Sequence, residues 1–132
     1  MRLTRVYETV LYASDVAEAT SFYADTLGLR LLEEPDELGS SFRLGGGGVL
    51  LLFKPELSSA AGRRVPSHGA TGAGHVAFSL EPGAYDQALA ELRERQVEIE
   101  TEIAWEQGGR SIYFRDPAGN SVELVEGDLW PP

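Results

Sequence analysis

The chain has 132 residues, a formal net charge of −10 from 21 acidic and 11 basic side chains, and no cysteine. The missing thiols exclude disulfides and thiolate metal ligands, which leaves His, Asp, Glu or water for any metal site. The acidic balance argues against nucleic acid as a partner, and no apolar run approaches the roughly 20 residues that cross a bilayer.

The N-terminus, Met1-Arg2-Leu3-Thr4-Arg5-Val6, lacks the apolar stretch and cleavage site of a signal peptide, so a cytoplasmic protein is expected. Arg5 to Tyr12 is rich in β-branched and aromatic residues and predicts a strand. Ser14 or Asp15 is a helix N-cap, with Glu18 in the first turn. Val16, Ala19, Phe22, Tyr23 and Leu27 follow at helical spacing, and Gly28 ends the helix. Strands are predicted over Leu29 to Glu33, Ser41 to Leu44 and Val49 to Phe53, the last two joined by a turn at Gly45 to Gly48. Nothing around these glycines resembles a phosphate loop. The stretch from Pro55 to about residue 73 carries Ser, Ala, Gly, Arg and Pro without period and reads as a linker.

The pattern then restarts. His75 to Leu80 is a strand with Val76, Phe78 and Leu80 on one face and His75 on the other. Pro82 stands near the start of a helix continued by Tyr85, Ala88, Leu89 and Leu92. Strands follow over Val97 to Ile103, Ser111 to Arg115 and Ser121 to Val125. Between the last two, Asp116-Pro117-Ala118-Gly119-Asn120 has hairpin chemistry: Asp116 caps, Pro117 fixes φ, and Gly119 or Asn120 takes positive φ. These residues read as structural.

The expected fold class is therefore α+β: two tandem βαβββ modules forming a cupped mixed sheet, within one domain over 1–132. Module one covers about 3–54, the linker about 55–73 and module two about 74–127. When the modules are superposed in register, Glu8 falls on His75, Ser41-Phe42-Arg43 on Tyr113-Phe114-Arg115, and Leu51 on Glu123. Neither module alone is expected to bury the helix-facing side of its sheet, so two must share a core, in one chain or across a dimer.

Glu8, His75 and Glu123 each break an apolar or small-residue strand. Val76 and Phe78 oppose His75, and Val122 and Leu124 oppose Glu123. Strand one is apolar on both faces, which exposes Glu8 to a burial cost unless it meets a cation. If matching strands face one concavity, the repeat turns Glu8, Leu51, His75 and Glu123 into four related positions around one centre. One imidazole and two carboxylates form a hard donor set for one divalent ion, Mn, Fe, Zn, Ni or Mg, with positions left open for substrate. Simpler readings stand beside this one: a hydrogen-bonded core histidine, Glu123 on the surface of an edge strand, and Glu8 paired with Arg43 or Arg115. His68, in the linker, reads as solvated and outside the site.

Four stretches carry a family resemblance over nearly the whole chain. They are Glu8-Thr9-Val10-Leu11-Tyr12-Ala13-Ser14-Asp15, Phe22-Tyr23-Ala24-Asp25-Thr26-Leu27-Gly28-Leu29, Gly74-His75-Val76-Ala77-Phe78, and Tyr113 to Leu124. In this order they resemble the vicinal-oxygen-chelate superfamily of glyoxalases, bleomycin-resistance proteins and extradiol dioxygenases. The resemblance implies metal ligands at His75 and Glu123, with Glu8 where the family more often has His. Leu51 stands where glyoxalase-like members carry a Glu or another polar ligand, which argues against glyoxalase I activity.

Trp105, Tyr113, Arg43, Tyr12 and Phe53 are candidate walls of a substrate pocket. Trp105 leads them because it sits in a polar, glycine-bearing loop without a core reason. The reading is a divalent-metal-dependent enzyme that acts on a small oxygen-bearing substrate by Lewis-acid chelation. Its alternative is a non-catalytic, drug-sequestering protein of the bleomycin-resistance type, whose groove would suit a cationic, planar ligand. The expected partners are a small molecule and a second copy of the chain, with no nucleic acid and no membrane.

Overall fold

The computed structural model describes residues 1–132. The chain forms two compact units, Met1–Gly72 and Ala73–Pro132, each with its own four-stranded mixed sheet.

Unit one runs β1 (Glu8–Tyr12), α1 (Val16–Ser21), a wider helical turn (Phe22–Thr26), β2 (Arg30–Leu31), β3 (Gly39–Arg43), β4 (Val49–Phe53) and α2 (Pro55–Ser58). The sheet order is β1-β4-β3-β2, with β1 parallel to β4 and the other pairs antiparallel. Asp15 caps α1, its Oδ1 accepting from the Glu18 N–H at 3.0 Å, which satisfies a donor with no partner inside the helix. Leu11, Phe42, Leu50 and Leu52 are buried on the helix-facing side of the sheet. There Thr20 Oγ1 bonds Ser40 Oγ at 2.8 Å and the Tyr23 ring lies 6.1 Å from that of Phe42.

Unit two runs β5 (His75–Ser79), α3 (Tyr85–Glu94), β6 (Ile99–Ala104), β7 (Arg110–Arg115) and β8 (Ser121–Glu126), in sheet order β5-β8-β7-β6. Its buried side carries Ile112, Phe114, Val122 and Leu124 with Tyr85 and Leu92 of α3.

The registers reproduce the repeat. Glu8 pairs with Val49, which pairs with Arg43; His75 pairs with Ser121, which pairs with Arg115. One step along, Val10, Leu51 and Ser41 match Ala77, Glu123 and Tyr113. The next row sets Tyr12, Phe53 and Gly39 against Ser79, Val125 and Ser111.

Several expectations are corrected. In unit one the helix-facing side of the sheet is covered by α1 of the same unit, which lies against β3 and β4. The first strand begins at Glu8, and Met1–Tyr7 is exposed chain. The helix after Asp15 gives way at Phe22 to a wider turn, closed by Leu27 N–H to Phe22 O at 3.1 Å. The linker holds the short helix α2, and α3 starts at Tyr85, beyond Pro82.

Candidate metal centre

In unit two, β5 and β8 bring two donor side chains together. His75 stands at the start of edge strand β5 and Glu123 in the middle of interior strand β8. His75 Nε2 lies 3.5 Å from Glu123 Oε2, with the imidazole half exposed and the carboxylate 9% exposed. His75 Nδ1 meets the Ser121 carbonyl at 3.1 Å. A carbonyl only accepts, so Nδ1 carries a ring proton and Nε2 is the ring nitrogen on the Glu123 side. Metal-ligating histidines use the same arrangement, donating the second ring N–H to a carbonyl or carboxylate.

Glu123 is buried, so the edge-strand surface reading does not hold. Its Oε1 accepts from the Ser111 hydroxyl, and Ser111 Oγ accepts from Trp105 Nε1 at 2.8 Å. The Tyr113 ring stacks near His75 at 6.4 Å and an interplanar angle of 19°. Burial first, and then the Glu123 carboxylate, pushes the Tyr113 phenol above its ordinary value. The pair opens onto a cavity of about 410 Å³ whose walls include Trp105, Tyr113, Val125, Leu129 and Trp130. Trp105 and Tyr113 therefore line a cavity with the two donor residues.

The other candidates belong to unit one. Glu8 is exposed at the start of β1, so the burial cost expected for it does not arise. Arg115 is bound instead to Glu100, at 2.8 and 3.1 Å. Arg43 is exposed and reaches the Gly47 carbonyl at 3.5 Å. A cavity of about 230 Å³ beside Glu8 is bounded by Arg5, Tyr7, Leu44 and the following glycines. Tyr12 and Phe53 lie side by side in register and share a neighbour that sequence reasoning left out. Tyr12 Oη and His68 Nδ1 are hydrogen-bonded at 2.7 Å, and the His68 ring is 5.2 Å from that of Phe53. His68 is held rather than solvated. No periodicity marks its segment, so nothing in the sequence pointed to this contact.

The donor set tests well against a divalent ion in part. An imidazole nitrogen and a carboxylate oxygen stand side by side, each residue with its remaining polar atom engaged, which is how ligands are prepared for a metal. No group of three or more His, Asp or Glu side chains is gathered in the chain; unit two supplies two donors, and Glu8 holds the repeat-equivalent place of His75 in unit one.

The profile of the Glyoxalase/Bleomycin resistance protein/Dioxygenase superfamily matches residues 5–124, and the chain belongs to that superfamily. It is 31% identical over 127 residues to a metallothiol transferase FosB of Shouchella clausii, covering 88% of this chain and 75% of that protein. A lactoylglutathione lyase of Escherichia coli O157:H7 is 25% identical, with 92% of each chain covered. Among solved structures, a lactoylglutathione lyase from Agrobacterium tumefaciens superposes with a TM-score of 0.91 at 38% identity, covering 98% of both chains.

Proposed function

We propose that the protein is a divalent-metal-dependent enzyme that acts on a small, oxygen-bearing substrate, with His75 and Glu123 as metal ligands and Glu8 of a second copy as the third. The observation that carries the reading is the His75–Glu123 pair, with Nε2 and Oε2 facing each other at 3.5 Å and a ring proton held on Nδ1 by Ser121. Relatives named for a metallothiol transferase and a lyase support a catalytic role. A bound divalent ion supplies a Lewis acid to neighbouring substrate oxygens.

The chain's own groups do the rest. Trp105 and Tyr113 flank the substrate beside the two ligands. Tyr113, raised above its ordinary value by burial, keeps its phenolic proton at neutral pH and can donate from Oη. Leu51 matches Glu123 in register but offers no oxygen, so glyoxalase I chemistry lacks its carboxylate base at that position. A thiol, in a transferase of this kind, enters as a cosubstrate because the chain has no cysteine. The proposed working form is a homodimer.

Elemental mass spectrometry of protein purified without added metal or chelator is the test. About one Mn, Fe, Zn, Ni or Mg per chain is expected, falling to background in the His75→Ala/Glu123→Ala double variant and reduced in Glu8→Ala. Metal-free protein that takes up none on titration would sink the reading and favour a sequestering groove.

A further inference from the structure

We propose that Ser111 and Trp105 are positioning residues for the Glu123 carboxylate: they hold Oε1, so that Oε2 is presented beside His75 Nε2. The inference rests on the reading of His75 and Glu123 as metal ligands.

Directionality makes the case. An indole N–H only donates and an ionised carboxylate only accepts. The Ser111 hydroxyl between them must therefore accept from Trp105 Nε1 and donate to Glu123 Oε1. The chain has one polarity, and each bond polarises the next. Ser111 is fully buried, so water cannot replace its hydroxyl. Oε2, not Oε1, is the oxygen 3.5 Å from His75 Nε2.

Trp105 is itself fixed. Its N–H donates to Gly109 O and its carbonyl accepts from Gly108 N–H, both at 3.0 Å. Gly109 sits so close to β8 that a Cβ there would meet Glu126 O at 2.7 Å. The turn that carries the indole is thus clamped against the strand that carries Glu123.

The repeat-equivalent positions differ: where unit two has Glu123 and Ser111, unit one has Leu51 and Gly39.

The test uses Zn²⁺ alone as probe on chelator-stripped full-length protein. Affinity is read by titration calorimetry, and the Trp105 indole N–H by NMR, assigned through its loss in Trp105→Phe. In the unsubstituted protein, Zn²⁺ binding is expected to shift the indole signal. Ser111→Ala should weaken Zn²⁺ binding about tenfold or more and leave the indole signal unresponsive to metal. Ser111→Thr, which keeps the hydroxyl, should restore both. Trp105→Phe should weaken binding less, because Ser111 still reaches Glu123, and it supplies the test if Ser111→Ala does not fold. Unchanged affinity in Ser111→Ala and Trp105→Phe would overturn the positioning role while leaving the metal reading intact. No Zn²⁺ binding by the unsubstituted protein would remove the metal reading, and the positioning role with it.

Discussion

Asp116 ties a whole turn to one carboxylate. Its Oδ1 accepts from the N–H groups of Ala118 and Asn120, and Oδ2 from Asn120 Nδ2, each at 2.9 Å. Asn120 Oδ1 in turn accepts from Gly74 N–H at 2.8 Å, just before β5 and His75. Both side chains are buried, so replacement by water is not open to them. Asp116→Ala should cost on the order of 3 kcal/mol, the sum of several buried donors left unpaired, measured by urea unfolding. Asp116→Asn should cost less, because the amide still accepts from the backbone but sets one NH₂ against another. A loss below about 1 kcal/mol for the alanine variant would contradict this account. The turn was legible because Asp, Pro, Gly and Asn have local preferences that need no tertiary partner; Gly119 takes the positive φ, at 87°. The Trp105–Ser111–Glu123 chain was not legible. It exists only once β7 and β8 pair in a definite antiparallel register, and Ser111 alone is an ordinary strand serine.

Among the elements, α3 is the one whose start depends on a neighbour. Its N-cap residue, Ala84, has no side chain able to cap, and Glu126 of β8 accepts from the Tyr85 N–H at 3.0 Å instead. The Tyr85 hydroxyl donates to Glu102 at 2.9 Å and lies 3.3 Å from the Ser111 carbonyl. The Arg110 guanidinium lies 3.9 Å over its ring. Burial first, then the bond to Glu102 and the charge of Glu102, pushes the Tyr85 phenol up to about 12. The folded state therefore favours the neutral phenol more than the unfolded chain does. The stabilisation is fully present below the ordinary value of about 10 and is lost as pH rises from there to about 12. Chemical denaturation across that range should show a steeper alkaline loss in the unsubstituted protein than in Tyr85→Phe; equal slopes would refute it. Strand alternation made β5 and β8 readable, since one face of each is apolar, and β4 is an unbroken apolar run. The widening of the helix at Phe22 escaped because side-chain spacing hardly differs between the two helical forms over one turn. The start of β1 escaped because propensity extends through Val6 and Tyr7, whereas pairing with β4 begins at Glu8. Close approach also matters: a Cβ at Gly39 would clash with the Leu52 carbonyl, a constraint on β3 that composition does not reveal.

At the scale of the whole molecule, the single chain leaves large apolar side chains uncovered. Leu3, Val6 and Tyr7 are exposed at 87%, 75% and 69%, and Trp130 at 83%. Trp130 also borders the cavity beside His75 and Glu123, so part of the proposed site's wall is among the uncovered surface. Leu3, Val6 and Tyr7 follow one another in the exposed start of unit one and Trp130 belongs to unit two; cover by a partner would reward the burial of each. A second copy is the partner the proposed function already requires. Against association stands the charge of −10 on each copy, which repels at low ionic strength and is screened within about 10 Å at 0.1 M salt. Light scattering behind a sizing column should therefore give roughly twice the 14.3 kDa of one chain, with the dimer favoured as salt rises from 0.01 to 0.5 M on the order of the screening change. Trp130→Ser should shift the balance towards monomer, because the rewarded burial is apolar. A monomer at every salt and protein concentration would refute the dimer. Dissociation on adding salt would refute the apolar account and point to ion pairs between copies.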